Sequence, residues 1–538
     1  MKLQKQALCD KALWEKNGFT LPQCDLDAVA AKTEVSPAWV HFGAGNIFRA
    51  FVAALHQDLL NKGLADTGIV VAEGFDYDII DKAYRPYDNL SLSVVLKVDG
   101  TIEKNVIGSV VSSLKADPSF EADWKKLVGI FENPTLQMVS FTITEKGYSL
   151  NNPAGEYTAD VLADMKNGPA CPKSTMGKVA ALCYARFQAC GAPLALVSMD
   201  NCSHNGEKLN LAVSKIASAW VENGLVEADF AAYINDPAKV SFPWSMIDKI
   251  TPRPDANVQK MLAEAGFEDT EIIVTARKTY TAPFVNSEEA QYLVIEDLFP
   301  NGRPALDNAG VIFTTRETVN MVEKMKVCTC LNPLHTALAI YGCILGYQLI
   351  SEEVKNPALK KLIEQIGYVE GMPVVVDPKI INPMDFIREV LEVRLPNPFM
   401  PDAPQRIATD TSQKLSIRFG ETIKAYDKDE KLDVQSLECI PLVLAGWCRY
   451  LMGIDDNGEA FELSADPLLG AVRPVVADIK LGDKGDFSEK LRPILSRTDI
   501  FGVDLYALGL VEKICKYFEK LIAGKGAVQA TLNEMFGL

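Results

Sequence analysis

An α/β N-terminal domain followed by a mostly α-helical C-terminal domain is the fold class predicted by this 538-residue sequence. Strand-like apolar runs alternate with helical patterns as far as about residue 310, and helix then follows helix to the C-terminus. A Gly-x-Gly turn also joins one of the first strands to a long helix. Domains at 1–310 and 311–538 follow, with a ligand expected in the cleft where they meet.

Composition narrows the function before any motif does. A hydrophobic content of 48% with 23% charged residues is that of a globular protein. The formal net charge of −17 opposes nucleic acid and anionic membrane surfaces as partners. A small anionic substrate stays compatible, because charge at a site can oppose the total. The twelve cysteines show no framework, and the N-terminus has no apolar signal core. Both features point to a reducing cytoplasm with free thiols, and a monomer or small homo-oligomer is expected.

Metal and membrane are both disfavoured. Cys328-x-Cys330 has no second pair at zinc-binding spacing, and the four histidines (His41, His56, His204, His335) are too few for a His-rich centre. Two segments, 330–350 and 437–452, are apolar enough to raise the question of a membrane. The first carries Asn332, Pro333 and His335, and the second Glu438 and Arg449, so buried helices are expected.

Along the chain, residues 1–36 predict a helical lead-in. Trp39-Val40-His41-Phe42 predicts a buried strand, running into Gly43-Ala44-Gly45-Asn46-Ile47-Phe48-Arg49 and a helix to about Asn61. Strand, glycine turn and helix together are the context of a dinucleotide-binding turn. The glycines let the backbone bend and approach a pyrophosphate seated on the helix N-terminus. Phe48 stands where the usual third glycine would be. The next strand ends at Glu73, whose carboxylate can accept an adenosine ribose hydroxyl and repel a 2′-phosphate, which favours NAD over NADP. Asp76 is the alternative.

Strand alternation is expected around 91–98, and a buried strand over 137–143 ends in Thr144-Glu145-Lys146-Gly147-Tyr148. Another strand, 193–198, ends in Met199-Asp200-Asn201-Cys202-Ser203-His204-Asn205-Gly206 before a helix to about Glu222. Polar residues at the C-terminal ends of parallel strands sit where ligands bind. Residues 242–252 read as an ordered loop, 291–296 as a strand and 301–304 as a turn. Beyond 316 the candidate helices are 334–349, 353–367, 383–394, 411–426, 435–452, 486–497 and 504–522. Asn332-Pro333 is a helix-start signal, with Asn332 read as N-cap.

These pieces together resemble the polyol-specific long-chain dehydrogenases, the mannitol dehydrogenase family that includes fructuronate and tagaturonate reductases. The resemblance is carried by Gly43-Ala44-Gly45…Arg49, by Thr144 to Tyr148, by Asp200-Asn201…His204-Asn205-Gly206, and by Phe242-Pro243…Ser245 to Pro252. Val294 to Asp297 with Gly302-Arg303-Pro304 follows, then Lys326…Asn332…His335, and Asn397-Pro398…Arg406-Ile407…Asp410-Thr411-Ser412…Lys414. The pieces stand in the family's order over about residues 37–420. Lys326 stands six residues before Asn332, one more than the family's spacing, which places an extra residue in Cys328-Thr329-Cys330.

The resemblance implies a Rossmann-type N-terminal domain, a mostly helical C-terminal domain, a nicotinamide cofactor and no catalytic metal. It implies NAD held by Gly43, Gly45, Asn46, Ile47, Phe48, Arg49, Glu73, Thr144 and Glu145. Oxidising a secondary alcohol without zinc requires a side chain to take the hydroxyl proton, and a lysine can do so. Lys326 is implied as that base, with Asn332 and Asn201 donating to the oxygen that gains charge. His335 would hold the substrate or lysine in register, with Asp248 nearby and Glu323 relaying protons. Arg406 and Lys414 resemble the family's substrate-binding cations, which suit a terminal carboxylate. The reaction implied first is reduction of a ketohexuronate such as fructuronate to mannonate. A mannitol-type polyol dehydrogenase and a tagaturonate reductase are the enzyme alternatives, and a nucleotide-binding protein without turnover is the rival of another class.

Overall fold

A computed structural model describes all 538 residues, which divide into two compact units, Met1–Asn320 and Met321–Leu538.

The first unit is built on a six-stranded sheet. Its strands are β1 (Trp39–Phe42), β2 (Ile69–Glu73), β3 (Val110–Lys115), β4 (Met138–Phe141), β5 (Leu194–Ser198) and β6 (Val240–Ser241), in spatial order β3-β2-β1-β4-β5-β6. Every neighbouring pair is parallel. This is the strand order of doubly wound dinucleotide-binding folds, in which β1 and β4 flank the point where the order reverses. Parallel strands are covered on both faces, so they read as unbroken apolar runs. Every residue of β1, β2, β4 and β5 is buried. Alternate residues feed two cores: Val40, Phe42, Val139 and Leu196 on one face, Trp39, Val71, Met138 and Val197 on the other.

Around this sheet lie smaller ones. Ser91–Leu96 pairs antiparallel with Ile102–Ile107 and parallel with Phe284–Glu288. The expected loop over 242–252 is corrected in its middle. Ser245–Asp248 is a strand paired antiparallel with Tyr292–Glu296. The proline-bounded sequence hides this, because the ladder partners are supplied from more than forty residues away. The lead-in holds the expected helices, Lys11–Lys16 and Leu26–Val35, and in addition a short strand, Phe19–Thr20.

The second unit has helices as its only regular elements, and about half its residues lie in them. The seven expected helices all form, with shifted ends: Asn332–Leu345, Pro357–Glu364, Pro383–Glu389, Glu421–Lys428, Cys439–Tyr450, Ser488–Leu495 and Val511–Leu521. Four of its turns are π-helical: Lys326–Cys330, Gln365–Gly371, Val390–Arg394 and Ser416–Gly420. Leu469–Val476 and Ala527–Phe536 are helices the sequence reading omits. Pro474 inside the former masks its periodicity. The helical run Arg316–Leu345 is long and apolar enough to cross a membrane, yet 78% of its most apolar window is buried inside the protein. Burial of that kind marks a core helix.

Candidate active site

In the first unit the glycine turn leaves β1 at the switch point of the sheet. Gly43 has φ +105°, and a Cβ there would stand 2.2 Å from the Thr142 carbonyl oxygen, so the fold itself demands glycine. A Cβ on Gly45 would meet nothing within 4 Å. Gly45 therefore leaves open room beside the turn, as close approach of a pyrophosphate requires. A cavity of ≈ 470 Å³ opens here, with Gly43, Ala44, Gly45, Glu73, Asp76 and Thr144 among its walls. The residues present thus fit a dinucleotide.

Glu73, at the end of β2, is 6% exposed. Its Oε2 accepts the Ala44 N–H at 2.9 Å, and its Oε1 accepts those of Phe75 (2.8 Å) and Asp76 (3.1 Å). Burial pushes its carboxyl above the usual range, against the pull of these three hydrogen bonds. Each carboxylate oxygen can accept more than one bond, so a ribose hydroxyl remains acceptable. Asp76 accepts from Thr275 Oγ1 at 2.6 Å.

The side chains of Phe48 and Arg49 lie away from this cavity. Phe48 is fully buried and stacks on His41, with centroids 4.1 Å apart. The Arg49 guanidinium, in a side chain 1% exposed, donates to Ala282 O (2.6 Å), Thr281 Oγ1 (2.8 Å) and Asn46 Oδ1 (2.9 Å). Neither side chain reaches the cavity wall, and neither does Ile47 or Asn46, whose amide donates to Pro252 O. What this helix start can offer a phosphate is backbone N–H. Glu145 lines an adjoining cavity of ≈ 990 Å³ that shares Thr144 and Lys146 with the first, and it pairs with Lys208 at 2.6 Å.

Thr144 has φ +65° and ψ 160°, a region that side chains other than glycine rarely enter. Asp200, at the end of β5, holds it there. Its Oδ1 accepts the Thr144 N–H and its Oδ2 the Ile143 N–H, each at 2.9 Å, while Tyr148 Oη donates to Oδ2 at 2.5 Å. Sequence reasoning placed Asp200 in a motif but missed this clamp. A lone acid ending one strand beside a polar turn ending its neighbour was the available signal. Asn205 braces the same region, donating to Asp200 O and Ser245 O at 3.0 Å each. Asn201 lies on the exposed turn after β5, and Asp248 is buried on its strand.

In the second unit, Lys326 begins a π-turn that ends at Cys330, and its side chain is 2% exposed. A π-turn holds one residue more than an α-turn, which gives room for the extra residue that the resemblance implies between Lys326 and Asn332. Burial pushes the Cys328 thiol up to about 11 and Cys330 to about 12, which leaves both protonated and unreactive at neutral pH. The expected N-cap is corrected. Leu331 caps the helix without a side-chain hydrogen bond, and Asn332 is its first residue, followed by Pro333 where no N–H is needed. The Asn332 side-chain amide is therefore not spent on the helix, whereas its main-chain carbonyl accepts from Thr336 Oγ1 at 2.8 Å.

His335 lies on the same helix face, three residues on. Burial first, and the charges of Arg394, Arg418 and Arg406 against that of Asp402, pull its imidazole down to about 4. It is neutral at physiological pH and able both to donate and to accept. Of the expected cations, Arg406 is mostly exposed and bound to Asp402 at 2.6 Å. Lys414 Nζ donates to the carbonyls of Thr409 and Ile407. Arg418, which sequence reasoning did not single out, donates to Thr336 Oγ1. Its spacing of four after Lys414 was the signal. No group of three or more His, Cys, Asp or Glu side chains is gathered to hold a metal ion.

Comparison with known proteins bears on these features directly. Residues 37–308 match the Mannitol dehydrogenase Rossmann domain and residues 318–522 the Mannitol dehydrogenase C-terminal domain. The chain is 56% identical to a D-mannonate oxidoreductase of Thermotoga maritima, covering 100% of this chain and 99% of that one. Among solved structures it resembles a substrate-free D-sorbitol dehydrogenase, with a TM-score of 0.79 at 26% identity over 99% of this chain and 100% of that one. It likewise resembles Pseudomonas fluorescens mannitol 2-dehydrogenase in ternary complex with NAD and D-mannitol, with a TM-score of 0.71 at 26% identity over 100% of both chains. With its Rossmann-type sheet followed by a helical C-terminal domain, the chain belongs to the mannitol dehydrogenase family and is an oxidoreductase.

Proposed function

We propose that the protein reversibly reduces a ketohexuronate, fructuronate, to D-mannonate, with NAD as hydride carrier, Lys326 as acid and base, and no catalytic metal. The observation that carries this reading is the full-length 56% identity to a D-mannonate oxidoreductase. Arginines around a neutral His335 supply chemistry that suits an anionic sugar acid. The likeness to a mannitol 2-dehydrogenase bound to NAD and D-mannitol supports NAD, and also a second reading in which the substrate is an uncharged polyol.

The bound cofactor supplies or accepts the hydride at the carbinol carbon. In the reduction direction Lys326 gives a proton to the substrate oxygen as the carbonyl becomes an alcohol, and in oxidation it takes that proton back. The Asn332 amide, with Asn201, donates to the oxygen that gains charge. His335, neutral, orients a neighbouring hydroxyl. Glu323 exchanges the lysine proton with bulk water, and Asp248 positions the reacting groups. Arg406 and Lys414 bind the substrate. Glu73 and the turn at Gly43 and Gly45 hold the cofactor.

The test is NADH consumption by purified protein with fructuronate and with fructose, side by side, with chelator present. Turnover of fructuronate far above that of fructose supports the reading. Preference for fructose selects the polyol reading. Silence with both moves the assay to tagaturonate, and activity that the chelator abolishes overturns metal independence.

A further inference from the structure

The cations of the second unit are not equally available. Arg406 is neutralised by Asp402, and Lys414 is tied to two main-chain carbonyls. Arg418 differs from both. It lies in the π-turn Ser416–Gly420, and the one hydrogen bond of its side chain runs from Nη1 to Thr336 Oγ1. A guanidinium has five N–H donors, so most of its donor set is unspent. Burial pulls the group down to about 10, and no carboxylate compensates. The side chain is half-buried and none of its nitrogens is a buried donor left without a partner, so the unspent N–H groups reach solvent and are open to a ligand.

Its location gives those donors a use. Thr336, whose hydroxyl accepts the Arg418 hydrogen bond, itself donates to the main-chain carbonyl of Asn332. Asn332, His335 and Thr336 stand at i, i+3 and i+4 of one helix and form a single stripe on its surface. Arg418 is therefore placed on the stripe that carries the unspent Asn332 amide and the His335 ring.

We propose that Arg418 binds the carboxylate of the sugar acid and is the residue that selects a uronate over a neutral ketose. The assignment rests on the uronate reading above and deepens it. The forked guanidinium matches a carboxylate with two parallel N–H···O bonds, and a neutral hydroxymethyl end offers no charge to satisfy it. Arg406 and Lys414, already engaged, then serve hydroxyls.

The test uses the full-length protein and the variants Arg418→Gln and Arg418→Lys. Steady-state kinetics are measured with fructuronate and fructose, and D-mannonate binding to the NADH complex is measured by calorimetry, where no turnover occurs. Arg418→Gln is expected to lower kcat/KM for fructuronate at least 100-fold, chiefly through KM, and to weaken D-mannonate binding to match. NADH affinity stays within about twofold and fructose kcat/KM within about threefold. Arg418→Lys restores part of the loss. Equal loss with both ketoses, or less than a fivefold loss with fructuronate, overturns the assignment. If Arg418→Gln does not fold, Arg418→Lys alone decides, with about a tenfold loss confined to the uronate expected. Failure of the parent protein itself to use any uronate is failure of the functional reading, and it shows before any variant is compared.

Discussion

Glu73 Oε2 accepts the backbone N–H of Ala44 at 2.9 Å, which ties the end of the second central strand to the glycine turn that leaves the first. With the bonds from Phe75 and Asp76, the same carboxylate satisfies three N–H groups. Glu73→Ala leaves them unpartnered, at about 1–3 kcal/mol for each that stays buried. The expected outcome is a Tm lower by several degrees and NADH binding weakened about tenfold or more. Glu73→Gln keeps one carbonyl acceptor and should fall between. Calorimetry and fluorescence titration with NADH check both.

Lys326→Ala separates binding from chemistry. If Lys326 moves the proton, kcat falls by about 10²–10⁴-fold, the range of a general acid or base. NADH affinity should change little, because the residues proposed to hold the cofactor, Glu73 and the turn at Gly43 and Gly45, do not include it. Loss of NADH binding in step with kcat would assign the lysine a structural role.

The π-turn at Lys326–Cys330 makes the helix tolerant at one place and intolerant at the next. Deleting Cys328 turns the π-turn into an α-turn and keeps the register of Lys326 with Asn332. Activity within about tenfold of the parent is expected. Inserting an alanine between Asn332 and His335 rotates the two residues by about 100° relative to each other. That insertion is expected to remove turnover almost entirely while circular dichroism remains near that of the parent.

Glu353 predicts a pH dependence of stability. It is fully buried, both carboxylate oxygens lack a partner, and a Cβ on Gly342 would stand 2.1 Å from its Oε1. Burial, and then the charge of Asp402, raise its carboxyl to about 9 from the usual 4.5. Between those values the folded chain binds a proton that the unfolded chain has released. The stabilisation from this group is whole below the unfolded value and declines as pH rises towards the folded one, by up to about 1.4 kcal/mol per pH unit. Glu353→Gln removes that slope. Thermal denaturation at pH 6 and pH 9 should show the parent losing more than the variant.

Much of the scaffold was legible in the residues. Unbroken apolar runs such as Trp39–Phe42 and Leu194–Ser198 mark strands covered on both faces, and the Gly43 turn marks where the sheet reverses. The spacing of Asn332 and His335 by itself puts them on one helix face. These features are local, set by covalent spacing and by the side on which each segment must be buried.

Tertiary structure alone decided which polar groups are spent and which are not. Arg49, in the expected cofactor motif, is consumed by Ala282 and Thr281, more than 230 residues away. Arg406 is occupied by Asp402, whereas Arg418, which no motif marked, retains most of its donors. Residues 245–248 became a strand only because Tyr292–Glu296 lies beside them. Periodicity records where a side chain must face. Whether its charge or hydrogen bonds are already satisfied depends on groups brought near by the fold, and their identity is written nowhere in the local sequence.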